Sequence, residues 1–164
     1  MLVSERSANR VLALIGFIVA VVVAGALGAL ASLRAPAFYL SLARPSWAPP
    51  PWLFGPVWSL LYVLIAVSAY LVYSSTDTRR RFALAVWWVQ LVVNAAWTWL
   101  FFSLHSGIGA LADIGLLAVL IATLIVACWR IRPLAGALLV PYLVWVLFAT
   151  ALTVSVWSMN PALL

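Results

Sequence analysis

The stretch "VWWVQLVVNAAWTWLFF" (residues 86–102) sets two carboxamides and a row of aromatic rings into sequence that is otherwise hydrocarbon. Gln90 and Asn94 are four residues apart, Trp87 lies three before Gln90, Trp97 lies three after Asn94, and Phe101 four after Trp97. Those steps place all five on one helical face. An amide inside a membrane is costly unless it is paired or faces a cavity, so this stripe must turn inward. Two other segments carry comparable faces: Trp58 and Tyr62 with the small Ala66 and Ala69, and Tyr142 and Trp145 with Ala149 and Leu152. Aromatic faces relieved by alanines can enclose a flat, largely apolar ligand. They can equally pack a bundle core while the amides bond between helices. The residues alone leave both open.

The remaining groups with chemical potential are few. Asp113 is the only acid within an apolar run. It is a functional candidate by default, although a protonated carboxyl or one bonded to a neighbouring helix end is the more ordinary role. His105 stands alone at a turn, and a haem iron held by it alone would have no second protein ligand. The single Cys128 excludes a disulfide framework within one chain. No metal-ligand cluster, nucleophile–base pair or phosphate loop is visible, so no metal is expected.

Composition says which elements must position these residues. Of 164 residues, 68% are hydrophobic and 7% charged, with a mean hydropathy of +1.20, whereas a soluble domain carries about 25% charged residues. All nine basic residues are arginine and the formal charge is +6. The arginines cluster at the ends of apolar runs, which suits topology signals and headgroup anchors rather than nucleic acid. Five runs are long enough, at roughly 20 residues each, to cross the hydrocarbon as helices: 11–33, 56–73, 82–104, 108–129 and 134–157. Helix is required because a lone strand leaves its backbone unpaired in lipid. The expected fold is an all-α membrane protein, a single domain over residues 1–164, with five transmembrane helices and a Pro/Trp-rich loop between the first two. The tight connectors "SSTDTRRR", "HSG" and "RIRP" make neighbours antiparallel.

With five spans, Arg6, Arg10, Arg79, Arg80, Arg81, Arg130 and Arg132 share one side, against Arg34 and Arg44 on the other. That bias predicts a cytoplasmic N-terminus in a bacterial inner membrane, with an outer membrane as the alternative. A competing reading takes the first run as a signal peptide cut near "ALAS". The run is too long for that, and Gly16, Ala20, Ala24 and Gly28 form a small-residue stripe suited to close helix packing, within the bundle or against a second copy. A retained helix is expected.

Between the first two spans, "RPSWAPPPWLFGPVWSLLY" (residues 44–62) holds five prolines and three tryptophans. Pro45, Pro49, Pro50, Pro51 and Pro56 fix φ and restrict the residues before them, so the loop is stiff and partly extended. Trp47 and Trp52 suit the membrane–water boundary, and Pro56 suits the first position of a helix.

The order Pro45-x-Trp47-x-Pro49-Pro50, then Trp52, Gly55-Pro56-x-Trp58 and Leu61-Tyr62, resembles the signature of the TspO/translocator protein family. Gln90, Asn94, Trp97, Phe101 and Phe102 continue the match on the third span, Asp113 on the fourth, and Pro141, Tyr142, Leu143, Trp145, Phe148, Ala149 and Leu152 on the fifth. The resemblance runs from about Tyr39 to Asn160. It implies a bacterial-type membrane protein that binds porphyrins such as protoporphyrin IX in a cavity within the bundle, for sensing, transport or sequestration. The implied contacts are Trp47, Trp52, Trp58, Tyr62, Asn94, Trp97, Phe101, Tyr142, Trp145, Ala149 and Leu152, with Arg44 a candidate for a propionate and Arg34 a weaker one.

Some bacterial relatives degrade protoporphyrin with light and oxygen. By resemblance, Trp58 and Trp145 would be the catalytic positions and porphyrin the substrate, with no further cofactor. A small transporter or membrane assembly partner is the third reading, and a homodimer is expected. Two departures stand out. The family's sterol motif ends in a tyrosine and a basic residue, both missing from "TVSVWSMN", which argues against cholesterol. A tryptophan found in some animal members four residues before the acid is here Gly109, and Thr153 stands where the family often has asparagine.

Overall fold

The computed structural model describes residues 2–32 and 35–163, with side chains from Asn9 onward apart from Pro36. Arg34, and the end of the first predicted span at residue 33, lie outside the described residues. The elements are α1 (Leu2–Ala31), α2 (Ala35–Ser41), a 3₁₀ turn (Pro51–Leu53), α3 (Phe54–Tyr73), α4 (Arg80–Thr98), a π turn (Trp99–Ser103), α5 (Gly107–Trp129), α6 (Pro133–Ala137) and α7 (Val140–Met159). Five stretches are long and apolar enough to cross a bilayer: Asn9–Ala31, Pro51–Tyr73, Arg80–Ser103, Gly107–Trp129 and Pro133–Met159. Each carries exposed aliphatic side chains, among them Val22, Leu60, Val92, Val119 and Val144. Lipid is the solvent that makes such a surface stable. Contacts run α1 to α3, α3 to α7, α7 to α5, α5 to α4 and α4 back to α1, closing a ring of five.

Three local features depart from the sequence expectation. The fifth span is not continuous. Pro141 lacks the N–H that would bond Ala137, and its ring crowds that carbonyl; α6 therefore ends at Ala137, and α7 restarts at Val140. The third span closes in a π turn, where the Leu104 N–H reaches Trp99 O at 2.9 Å. The first connector contains α2, ahead of the stiff proline stretch; within that stretch Pro50 is extended at φ −66° and ψ 149°.

The core is apolar and crossed by few polar links. Trp87, 1% exposed, donates Nε1–H to Ile65 O at 3.1 Å, which fastens α4 to α3. Ser68 Oγ donates to Ala135 O at 2.8 Å, fastening α3 to α6. The small-residue stripe of α1 faces the bundle at Ala24, which is buried, and at Gly28. Outside the membrane, Asp77 accepts from the Arg79 backbone N–H at 2.8 Å and from its guanidinium at 2.7 Å. This pairing holds the Asp77 carboxyl down at about 2, so the turn keeps its charge pair until pH falls towards that value.

α6 lies against α5 so closely that a Cβ at Gly136 would sit 2.8 Å from the Trp129 ring and 3.0 Å from the backbone oxygen of Ile125. A helical carbonyl cannot retreat. Gly136→Val is expected to lower stability by about 1–3 kcal/mol through overpacking. Gly16→Ala, where a Cβ meets nothing within 4 Å, should not. Thermal unfolding of both variants in detergent checks the contrast.

Candidate functional site: a cavity beneath the first loop

A cavity of about 440 Å³ lies among α1, α3 and α4, covered by α2 and the 3₁₀ turn. Its space comes from α1 and the residue that follows it, which offer Gly25, Gly28, Ala29 and Ser32 and no bulky side chain. A Cβ on Gly25 would stand 3.1 Å from the Tyr62 ring, and one on Gly28 would stand 3.5 Å from Thr98 Oγ1. The facing walls are Trp58 and Tyr62 from α3, Asn94, Trp97 and Thr98 from α4, and Phe102 from the π turn. Tyr39, Pro51 and Phe54 form the cover. The lining holds no ionisable group except the two phenols. An apolar chamber with a few placed polar groups is the usual make-up of a small-molecule site.

The polar groups form one chain through three spans. Tyr62 OH donates to Asn94 Oδ1 at 3.0 Å, Asn94 Nδ2 donates to Tyr142 OH at 3.0 Å, and Tyr142 OH donates to Gln90 Oε1 at 2.9 Å. In a low-dielectric interior such linked bonds reinforce one another. Trp97 Nε1 is buried without an acceptor, although its ring lines the cavity and stacks on Phe101 at 5.3 Å.

The cover is fastened at several points. Tyr39 OH donates to Pro49 O at 3.1 Å, and the Arg44 guanidinium lies 4.8 Å from the Tyr39 ring centre. Burial pushes the Tyr39 phenol up, and Arg44 partly offsets this. Asn160, at the end of α7, accepts from Ala43 N–H at 2.9 Å and donates to Ala43 O at 2.8 Å. Phe54 meets Tyr39 and Trp145 edge-on at 5.7 and 5.9 Å.

Of the residues expected from sequence, Trp58, Tyr62, Asn94 and Trp97 border the cavity. Phe101 is buried behind Trp97, and Tyr142 is fully buried behind Asn94. Trp145 is not at the lining and packs against Phe54, which is, and its Nε1 has no partner. Ala149 and Leu152 are not at the lining; they are buried in hydrophobic clusters against which lining residues such as Trp97 pack. Trp47 and Trp52 are exposed, Trp47 resting edge-on against Phe148 at 5.7 Å. Arg44 stands behind Tyr39 rather than at the lining. Sequence reasoning missed Tyr39, Phe54, Gly25 and Asn160. The run of small residues in α1 was the available signal for Gly25, and the clamp by Asn160 left none.

Residues 17–158 match the model of the TspO/MBR family. The chain belongs to that family. It is 43% identical to Protein CrtK of Rhodobacter capsulatus over 148 residues, covering 88% of this chain and 91% of the relative. It is 38% identical to the Translocator protein of Homo sapiens, over 75% of each chain. A Tryptophan-rich sensory protein of Cereibacter sphaeroides is 33% identical over 79% of this chain and 81% of that one. An integral, multi-pass membrane protein follows from this membership together with the five apolar spans.

Family membership also puts this chain's departures in physical terms. Thr153 Oγ1 donates to Ala149 O at 2.8 Å, one turn back, so it needs no partner on another helix. Gly109 does not border the cavity. Its N–H is capped by Ser106 Oγ at 3.2 Å, and a Cβ there would press on that oxygen at 2.7 Å. Asp113 is half-buried, with Oδ2 lacking a partner. His105 is exposed at φ 49°, its ring 4.1 Å from that of Phe38.

Among the described residues, Asn94 is the only group hydrogen-bonded to both Tyr62 and Tyr142. Asn94→Ala leaves the Tyr62 hydroxyl without its acceptor and is expected to cost about 1–3 kcal/mol. Tyr62→Phe strands Asn94 Oδ1 but keeps the bond from Asn94 to Tyr142, and should cost less, about 1 kcal/mol. Melting curves of the two variants in detergent test the order.

Proposed function

We propose that the protein is a membrane sensor or translocator that binds a porphyrin, or another flat and largely apolar tetrapyrrole, in the cavity beneath the first loop. The observation that carries this reading is the lining. Trp58, Trp97 and Phe102 line it with aromatic rings, and α1 presents glycines where side chains would fill the space. The volume falls within the roughly 300–1,000 Å³ of small-molecule sites. Relatives named as a translocator protein and a tryptophan-rich sensory protein support the role. In this proposal a propionate on the guest would be met by Arg44 from behind Tyr39. The N-terminus lies in the cytoplasm of a bacterial cell, as the arginine bias supports. A homodimer is part of this reading, with the exposed Gly16 of the α1 stripe a place where a second copy could approach closely.

A titration of protoporphyrin IX against the purified protein, followed by quenching of tryptophan fluorescence in darkness, tests the site. Saturable binding is expected. Gly28→Leu, which fills the chamber without removing an indole, should weaken it about tenfold, equivalent to ~1.4 kcal/mol. Equal affinity in a folded Gly28→Leu protein would place the guest elsewhere.

The indole of Trp58 in the wall favours a second reading, in which the illuminated porphyrin is the substrate, molecular oxygen the oxidant and Trp58 an oxidisable neighbour. Under light and air, porphyrin absorbance should then decay faster with the protein than in detergent alone. Trp58→Phe should remove that excess while dark binding persists, and Trp145→Phe, at a residue outside the lining, should remove less of it.

A further inference from the structure

A second concavity lies on the outside of the bundle, at the arginine-rich end and away from the first loop. It has a volume of about 610 Å³ and runs between α4 and α5, bordered by Arg79, Phe82, Ala122, Thr123, Val126 and Arg130 together with Ala127. The two arginines stand at its mouth. From Arg130 back to Ala122 the groove follows α5 for about 12 Å, at 1.5 Å per residue, into the hydrocarbon-facing part of the helix. Below the mouth its wall is apolar, because Thr123 Oγ1 is already bonded to Val119 O at 2.8 Å. Phe82 and Val126 are 60% and 53% exposed, with no protein element covering them.

The mouth is arranged as well as charged. Arg79 donates from Nε and Nη2 to Asp77 and from Nη2 to the backbone oxygen of Arg130 at 3.0 Å, which ties the start of α4 to the end of α5. Asp77 balances the charge of Arg79. Among the described residues, Arg130 makes no side-chain hydrogen bond and no ion pair, and the same holds for Arg81 and Arg132 nearby in the chain. The free positive charge at the mouth is therefore that of Arg130, with Nη1 of Arg79 as an additional donor. A guanidinium head above an aliphatic trough matches one chemical class: a phosphate diester bearing acyl chains. We propose that this groove binds an anionic phospholipid, the phosphate on Arg130 and Arg79 and an acyl chain along Phe82, Ala122 and Val126. Arg130 also complements the carboxyl end of α5, and the experiment must separate that role from lipid binding.

Native mass spectrometry of the purified full chain in detergent, titrated with phosphatidylglycerol or phosphatidylcholine, reads the site directly. Phosphatidylglycerol should show one preferred binding step, and phosphatidylcholine and inorganic phosphate should show none. Arg130→Gln should weaken that step about fivefold, the effect of one basic residue at an anionic membrane surface. Ala122→Phe, at an exposed position, should block the trough and weaken it without any change of charge. Arg81→Gln should leave it unchanged. The proposal is overturned if phosphatidylcholine binds as well, if Arg81→Gln has the effect of Arg130→Gln, or if Ala122→Phe, shown folded by its circular dichroism, binds like the parent. Binding of free phosphate equal to that of the lipid would also overturn it, since the trough would then contribute nothing.

Discussion

A carboxamide inside a bilayer has no water to bond with, and the arrangement at Asn94 follows from that constraint. Its oxygen accepts from Tyr62 on α3 and its nitrogen donates to Tyr142 on α7, which in turn donates to Gln90 one turn away on α4. Three helices are thereby held at one depth. Apolar packing between helices in lipid is poorly directional, so polar links of this kind fix the register of one helix against another. The consequence for the site is immediate. Tyr62 is tied to α4 while its ring lies against Gly25 of α1, and the further small residues of α1 leave the space beside it unfilled.

The five spans were legible because lipid allows a single solution for an isolated apolar segment. The inward face of α4 was legible too, since periodicity reports which residues share a face: Trp87, Gln90, Asn94 and Phe101 are all buried. Periodicity carries no information about what stands opposite. The aromatic face of α7 therefore read as a cavity wall, whereas Trp145 packs edge-on against Phe54 without reaching the lining and Tyr142 is buried and bonded to Asn94. The void itself was hidden for a related reason. It is made by side chains that are missing from α1, and a run of small residues reads equally well as a close helix contact.

The interruptions of regular helix have separate causes. The gap between α6 and α7 could have been placed from Pro141, counting four residues back to the end of α6. The π turn has no such marker, because Trp99–Ser103 contains neither proline nor glycine. It nevertheless matters to the site: the turn brings Phe102 to the lining while Phe101 packs beneath Trp97. Local widening of a helix next to a binding cavity is a common use of this element.

Asn160 gives the tail of the chain a hold on the roof of the chamber. Its amide grips both backbone groups of Ala43, on a residue 117 positions earlier, just past the last helical residue described. Mechanical load at one terminus is thus transmitted to the far end of the molecule's first connector. A bulky reporter or affinity handle appended behind residue 164 would pull on the hatch over the chamber, whereas the same handle at the opposite terminus would hang from the other side of the bilayer.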